Sequence, residues 1–184
     1  EPLLASGEVH HVGQPVAVVL AEDPDTARRA RGELRLEVEP LPAVFDAREA
    51  AAAGRLLEPP RTFASGDVDG AWKACVHEVR GRVETGAQEH IYLEPQSMAA
   101  WLEGDRVTVH GSMQCPFYVK KALATLFGWN DDRVRVVQTT TGGAFGGKEE
   151  YPSVLAGYVA IAAWKSGRPV RLILDRSEDI RIST

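Results

Sequence analysis

The chain has 184 residues, of which 44% are hydrophobic, so it can build a core and is poorly suited to disorder. Its formal net charge of −5 argues against nucleic-acid binding, which depends on an excess of lysine and arginine. The longest weakly polar stretch, at 154–164, is too short to span a bilayer, so we expect no membrane partner.

The first predicted unit is a strand, a helix and a strand within residues 13–44. A β-branched run at 15–21 predicts a strand, and Asp23 followed by Pro24 predicts the start of a helix. Residues 34–41 alternate apolar and charged side chains, which predicts a half-buried strand. Residues 45–65 hold Ala-rich, Pro-Pro and Ser-Gly stretches and predict a linker with a short helix over 46–53. We therefore expect a small α/β unit at 1–60.

The second predicted unit covers residues 61–184 and mixes helices with strands. Gly104-Asp105 predicts the turn of a β-hairpin. An amphipathic helix is predicted from Pro116 to Gly128, and a buried helix over 151–167. Three further elements are a short helix at 67–75 and strands at 132–138 and 168–175. The whole pattern predicts an α+β fold.

The two cysteines, Cys75 and Cys115, lie far apart in the sequence and form no C-x-x-C pair. This spacing argues against a structural zinc or iron–sulfur site carried by this chain alone. Two free thiols fit a reducing compartment, and a single disulfide bond stays open as an alternative. The chain opens with an acidic, mixed stretch unlike a signal peptide, so we expect a cytoplasmic location.

A glycine-rich stretch between the strand at 132–138 and the helix at 151–167 raises the question of a phosphate loop. Gly142, four further residues and Gly147-Lys148 satisfy G-x-x-x-x-G-K; we call Gly142–Gly147 the glycine turn. The motif then needs Ser or Thr to ligate Mg²⁺, whereas Glu149 and Glu150 follow here. Two carboxylates would repel a triphosphate by about 4 kcal/mol per like-charge pair at ~4 Å and an effective dielectric near 20. The backbone geometry of the motif is therefore plausible, and its nucleotide chemistry is not.

The same turn could serve another ligand. Its N–H groups could hold a small, partly negative oxygen, and Phe145 could offer its ring to a flat substrate. Glu149 could accept hydrogen bonds from substrate N–H groups, or could pair with Lys148 or a distant arginine. The alternative is a tight strand-to-helix connection whose glycines meet backbone constraints only.

A second stretch, "GAQEHIYLEPQSMAAW" at 86–101, concentrates polar side chains. His90 and Glu94 have helical metal-ligand spacing, but Pro95 and the flanking alternation argue against a helix there. We expect His90 and Tyr92 to be buried with their polar atoms satisfied. Gln88 differs, because an uncharged amide that donates and accepts is suited to a polar oxo or pterin ligand.

Together, "GAQEHIYLEPQ" and "GGAFGGKEE" resemble the molybdenum-binding part of the xanthine dehydrogenase and aldehyde oxidase family. "GEVHHVGQPVAVVLAEDPDTARRARGELRLEVEPLPAV" is similar to the α/β hammerhead module that precedes the molybdenum domain in that family. "SGDVDGAWKAC" and "AAWKSGRPVRLILDRSEDI" match its pattern too, so the resemblance spans nearly the whole chain. It implies a hammerhead-like unit at 1–60 and the first part of a mixed α/β molybdenum cofactor-binding domain at 61–184.

The resemblance also implies roles for individual residues. Gln88 would approach the oxo ligand of a molybdenum ion held by molybdopterin. Backbone N–H groups from Phe145 and Gly146, with Gly143 and Ala144 in the same bend, would bind near the apical oxo ligand. Glu149 would face and orient the substrate. No residue of this chain would ligate the metal directly.

The implied reaction is hydroxylation of a purine-like N-heterocycle or an aldehyde, by attack of metal-bound hydroxide and hydride transfer to the sulfido ligand. The absence of a cysteine from 139–150 argues against the carbon-monoxide-oxidising subfamily. The resemblance places the catalytic base, a glutamate, outside this segment and implies several partners. These are the rest of the molybdenum subunit, iron–sulfur and flavin (FAD) domains or subunits, and a small-molecule substrate.

The ends of the chain suggest a segment excised from a longer polypeptide, which we expect to be inactive when isolated. Two rival functions stay open. One is a non-catalytic accessory or assembly module of the same fold, and the other is the phosphate-loop domain considered above.

Overall fold

The computed structural model describes residues 2–183, which form two compact units. One unit combines the residues up to Glu33 with those from Ala87 onward, and the other is Leu34–Gly86. The boundary that the sequence suggests after residue 60 stays a prediction.

A four-stranded mixed sheet forms the centre of the first unit. Its strands are β1 (Ser97–Glu103), β2 (Arg106–Gly111), β3 (Val134–Gln138) and β4 (Val170–Ile173), in the order β3-β2-β1-β4. β1 is antiparallel to β2 and β4, whereas β2 and β3 are parallel. The predicted hairpin is confirmed, and Gly104 takes a positive φ of 64° at its turn.

Two helices pack against this sheet and close the core. α4 (Pro116–Phe127) and α5 (Pro152–Ser166) each begin at a proline and end before a left-handed glycine, Gly128 or Gly167. Nine of the fifteen residues of α5 are buried, which confirms the prediction of a buried helix. The core includes Val107, Val109, Leu123, Leu155 and Val159.

The other helices are ten residues long or shorter. The first unit adds α1 (Pro24–Glu33), a 3-10 turn (Asp131–Arg133) and α6 (Arg176–Ile182). The second unit holds α2 (Ala47–Ala52) and α3 (Val68–Ala74), neither of which has a buried residue. Within the described part of the chain, no helix has both the length and the apolar character that crossing a bilayer requires.

The predicted strands at 15–21 and 34–41 are wrong. Neither run takes part in a strand ladder among residues 2–183. A lone strand is unstable because its backbone N–H and C=O groups need a partner strand. The apolar side chains of the second run stay outside, with Leu36 62% and Val38 64% exposed. The mixed sheet and its helices confirm the α+β class.

Candidate functional site

The glycine turn connects β3 to α5 through unusual backbone angles. Gly143 and Gly146 have φ values of 97° and 104°, and Phe145 lies in the left-handed region at 55°. That conformation costs a non-glycine residue roughly 1–3 kcal/mol and persists only where its surroundings impose it. The Phe145 side chain is 77% exposed, so its packing does not account for the strain. The backbone of the turn must therefore be held by its neighbours.

The glycine turn lies against residues 87–96, which we call the glutamine segment. A Cβ on Gly142 would be 2.7 Å from Cβ of Glu94. A Cβ on Gly147 would be 2.6 Å from Cε1 of Tyr92 and 3.0 Å from Cγ of His90. Both glycines are therefore required by close approach, and the two sequence motifs meet in space.

Lys148 anchors the turn from inside the protein. Its side chain is fully buried, and Nζ donates to Oε2 of Glu94 at 2.8 Å and to Oγ of Ser112 at 3.1 Å. Nζ also lies 4.7 Å from the centre of the Tyr92 ring. Lys148 thus pairs with Glu94 rather than Glu149, and the lysine that a phosphate loop would use is committed to the interior.

Glu94 holds the first residue of the turn with the same oxygen. Its Oε2 accepts from the Gly142 N–H at 2.8 Å, and its own N–H donates to the Gly142 carbonyl at 3.1 Å. Partial burial acts to raise the pKa of Glu94. Hydrogen bonds from Lys148, Gly142 and Ser112 outweigh it and hold that pKa below its ordinary value.

Gln114 holds the other end of the turn. Its Oε1 accepts from the N–H groups of Gly146 and Lys148, both at 3.2 Å. Its main-chain N–H donates to the Lys148 carbonyl at 2.7 Å. Three hydrogen bonds therefore join Gln114, two positions before α4, to the end of the turn.

Three successive amides between these anchors are uncommitted. Within residues 2–183 the N–H groups of Gly143, Ala144 and Phe145 donate no hydrogen bond. The next amide, of Gly146, donates to Oε1 of Gln114, and that of Gly147 donates to the Ala144 carbonyl at 2.9 Å. Successive N–H groups in a bend with left-handed residues form a concave anion-binding site. The turn can therefore present donors to an oxygen ligand, and those donors precede Gly146.

Tyr92 and Gln96 support the turn from beneath. Tyr92 is fully buried, which confirms the prediction, and its hydroxyl donates to Oδ1 of Asp179 at 3.0 Å. Nε2 of Gln96 donates to the Tyr92 hydroxyl at 3.1 Å and to the Gly147 carbonyl at 2.7 Å. Burial raises the pKa of Tyr92, so its proton stays available for this hydrogen bond.

The start of the glutamine segment lies at the surface. The predicted burial of His90 is wrong: the residue is exposed, because it covers the glycine turn rather than the core. Gln88, two positions earlier, is exposed as well. Between them, Oε1 of Glu89 accepts from the His90 N–H, whereas its Oε2 is buried without a hydrogen-bond partner in the described residues.

Glu149 follows the turn and is exposed beside the Cys115 thiol. Desolvation, the negative charge of Glu149 and a hydrogen bond to it raise the pKa of Cys115, so the thiol stays protonated. A cysteine thus lies next to the turn although the turn itself contains none.

Sequence reasoning missed the anchoring roles of Glu94, Ser112 and Gln114. The Lys148 contacts to Glu94 and Ser112 span 54 and 36 positions, and Gln114 reaches Lys148 across 34. No local spacing pattern signals such contacts. Among residues 2–183, no three His, Cys, Asp or Glu side chains are grouped to hold a metal ion.

Comparisons with known proteins identify the family. The family described as "Molybdopterin cofactor-binding domain" matches residues 50–184. The chain is 38% identical to aldehyde oxidase 1 of Bos taurus over its whole length, and 35% identical to xanthine dehydrogenase of Oryza sativa subsp. japonica over 98% of it. It spans only 14% of the length of each of these relatives.

A solved structure has a similar fold. Quinoline 2-oxidoreductase from Pseudomonas putida 86 superimposes on 97% of this chain with a TM-score of 0.79 and 27% identity. The match covers 24% of that protein. The chain therefore belongs to the xanthine dehydrogenase and aldehyde oxidase family of molybdopterin-binding proteins.

Proposed function

We propose that the glycine turn and the glutamine segment form one wall of a molybdopterin site in a molybdenum hydroxylase. The three uncommitted amides of Gly143, Ala144 and Phe145 are the observation that carries this proposal. They lie in a turn that is fixed on both sides and packed against the segment that bears Gln88. When bound, the cofactor would supply the oxygen-transfer and redox chemistry.

Two further features of this chain fit such a group. The buried, unpartnered Oε2 of Glu89 is one position from Gln88 and needs a donor, which the ring N–H and amino groups of a pterin offer. The glycine turn cannot accept side chains at Gly142 or Gly147, whose Cβ positions face Glu94 and Tyr92, so the turn can lie close enough to the glutamine segment for the two to form one wall.

The chain's own residues would bind and orient rather than ligate the metal. The amides of Ala144 and Phe145 and the carboxamide of Gln88 would donate to polar oxygens of the cofactor. Gly143 would add its amide, and Gly146 would shape the bend, because its own N–H is given to Gln114. The exposed Phe145 ring would offer an apolar face to a flat substrate.

We propose that Glu149 orients a purine-like N-heterocycle by accepting a hydrogen bond from a ring N–H, whereas an aldehyde, the other substrate class that we propose, would lie beside Glu149 without such a bond. The Glu149 carboxylate is exposed and lies two positions after the turn. The catalytic base, the iron–sulfur clusters and the flavin would lie outside this chain, on the rest of the molybdenum subunit and on partner domains or subunits.

The test uses the complete protein that carries this sequence, purified from molybdenum-replete cells. We expect stoichiometric molybdenum by mass spectrometry, and turnover on a panel of N-heterocycles and aldehydes. Gln88→Ala should lower the molybdenum content or the turnover at least tenfold, because it removes a donor to the cofactor. A wild-type protein without molybdenum would refute the proposal. Bound molybdenum without turnover on any compound would favour a non-catalytic module.

The isolated 184-residue chain should behave differently. Because it offers one wall of the site, we expect it to retain no stoichiometric molybdenum after purification and to show no turnover. Stoichiometric metal in this chain alone would contradict the division of the site between this segment and others.

A further inference from the structure

The Gln114 carboxamide has one orientation that its surroundings require. One atom of this carboxamide contacts the turn. It lies 3.2 Å from two backbone N–H groups, those of Gly146 and Lys148. A backbone N–H can only donate, so the contacting atom must be the carboxamide oxygen. The Gln114 main chain adds a third bond, to the Lys148 carbonyl. The residue is therefore fixed to the turn by side chain and backbone together.

The strained part of the turn lies between two anchors. Glu94 binds the N–H and the carbonyl of Gly142 on one side. Gln114 binds the N–H groups of Gly146 and Lys148 on the other. Phe145, with its φ of 55°, lies between them. Such a conformation persists only when neighbouring contacts determine it, and the Gln114 contacts begin at the very next residue.

We propose that Gln114 is a positioning residue for the cofactor site. By taking the amides of Gly146 and Lys148, it fixes the bend in which Ala144 and Phe145 keep their amides free for the cofactor. The inference rests on the proposed function in one respect, namely that the cofactor is the ligand of those amides. The two anchors differ in kind, because Glu94 also neutralises a buried lysine, whereas Gln114 acts on the backbone alone.

Hydrogen exchange of the complete protein tests the anchor itself. Gln114→Met removes the acceptor oxygen at nearly constant size, and Gln114→Glu keeps an acceptor. Lys121→Met, at an exposed position of the adjoining helix α4, is the matched control. We expect amides of 142–149 to exchange about tenfold faster in Gln114→Met, and at nearly wild-type rates in Gln114→Glu and Lys121→Met. Unchanged exchange in Gln114→Met, or equal acceleration in both Gln114 variants, would overturn the proposal.

A spectroscopic readout tests the link to the cofactor. We expect Gln114→Met to alter the electron paramagnetic resonance signal of the bound molybdenum. Gln114→Glu, which keeps an acceptor, should give the wild-type signal. A signal identical to wild type in Gln114→Met would overturn the positioning role even if exchange had accelerated. Absence of molybdenum from the wild-type protein would instead refute the proposed function, and exchange would still decide whether Gln114 fixes the turn.

Discussion

Lys148 Nζ lies 2.8 Å from Oε2 of Glu94, and the lysine side chain is fully buried. The same carboxylate oxygen accepts the N–H of Gly142. One carboxylate thus both neutralises an interior charge and holds the start of the glycine turn. Because a buried, unpaired ammonium is costly, the pair fixes the position of the turn relative to the sheet as well as its local shape.

Removing the carboxylate charge should destabilise the protein. Glu94→Gln leaves Lys148 buried without a counter-ion, and breaking a buried pair in this way costs several kcal/mol. Because the Glu94 side chain is 35% exposed, we expect a smaller loss, of about 2 kcal/mol, in the free energy of unfolding. The double variant that adds Lys148→Met to Glu94→Gln should recover at least half of that loss, because it also removes the unpaired charge. Denaturant unfolding of the complete protein measures both, and strictly additive losses would contradict the pairing.

The same pair predicts how the stability of the turn depends on pH. The pKa of Glu94 is lower in the folded protein than its ordinary value of 4.5. Its stabilisation is therefore fully present above pH 4.5 and is lost as the pH falls through the folded pKa. We expect hydrogen exchange in 142–149, corrected for its intrinsic pH dependence, to accelerate below pH 4.5 in wild type. Glu94→Gln should lack this acceleration, and identical profiles would contradict the prediction.

The close approach at Gly147 predicts a steric effect. In Gly147→Ala the new methyl group would lie 2.6 Å from Cε1 of Tyr92, which Asp179 and Gln96 hold in place. Such overpacking costs about 1–3 kcal/mol, so we expect a lower melting temperature and reduced molybdenum content.

Gly128→Ala is the control for this steric prediction. Its methyl group would meet nothing within 4 Å, although its φ of 63° adds left-handed strain. That strain is worth about 1 kcal/mol, so this variant should lose stability but keep its molybdenum. Equal loss of molybdenum in both variants would show that general destabilisation, not the contact with Tyr92, is the cause.

The sequence predicts the helix α5 correctly and two strands wrongly. The difference is whether the sequence signal for an element lies within that element. α5 could be predicted because its composition, its initial proline and the following Gly167 all lie within one continuous segment. The runs at 15–21 and 34–41 carry equally clear strand patterns, yet strand formation depends on a partner elsewhere in the chain. A strand pattern alone therefore does not establish pairing.

The site shows the same limit. The glycine turn and Gln88 stand out in the sequence because glycine repeats and polar clusters are local signals. The role of Gln114 does not, since its oxygen binds amides more than thirty positions away. The pairing of Lys148 with Glu94 spans 54 positions and competes in sequence with the adjacent Glu149. Only the fold brings these anchors to the turn.

Glu149 and Glu150 offer a matched test of substrate recognition, because both are exposed and adjacent. If Glu149 orients the substrate as proposed, Glu149→Gln in the complete protein should lower kcat/KM for a purine-like substrate by about 5- to 10-fold, because glutamine keeps an acceptor oxygen but loses the charge that strengthens the hydrogen bond. The change should be smaller for an aldehyde, which lacks ring N–H donors. Glu150→Gln should leave both substrates within about twofold of wild type, as expected for a surface charge. Steady-state kinetics at a saturating concentration of electron acceptor measure these effects. Equal effects of the two variants would show that Glu149 does not orient the substrate.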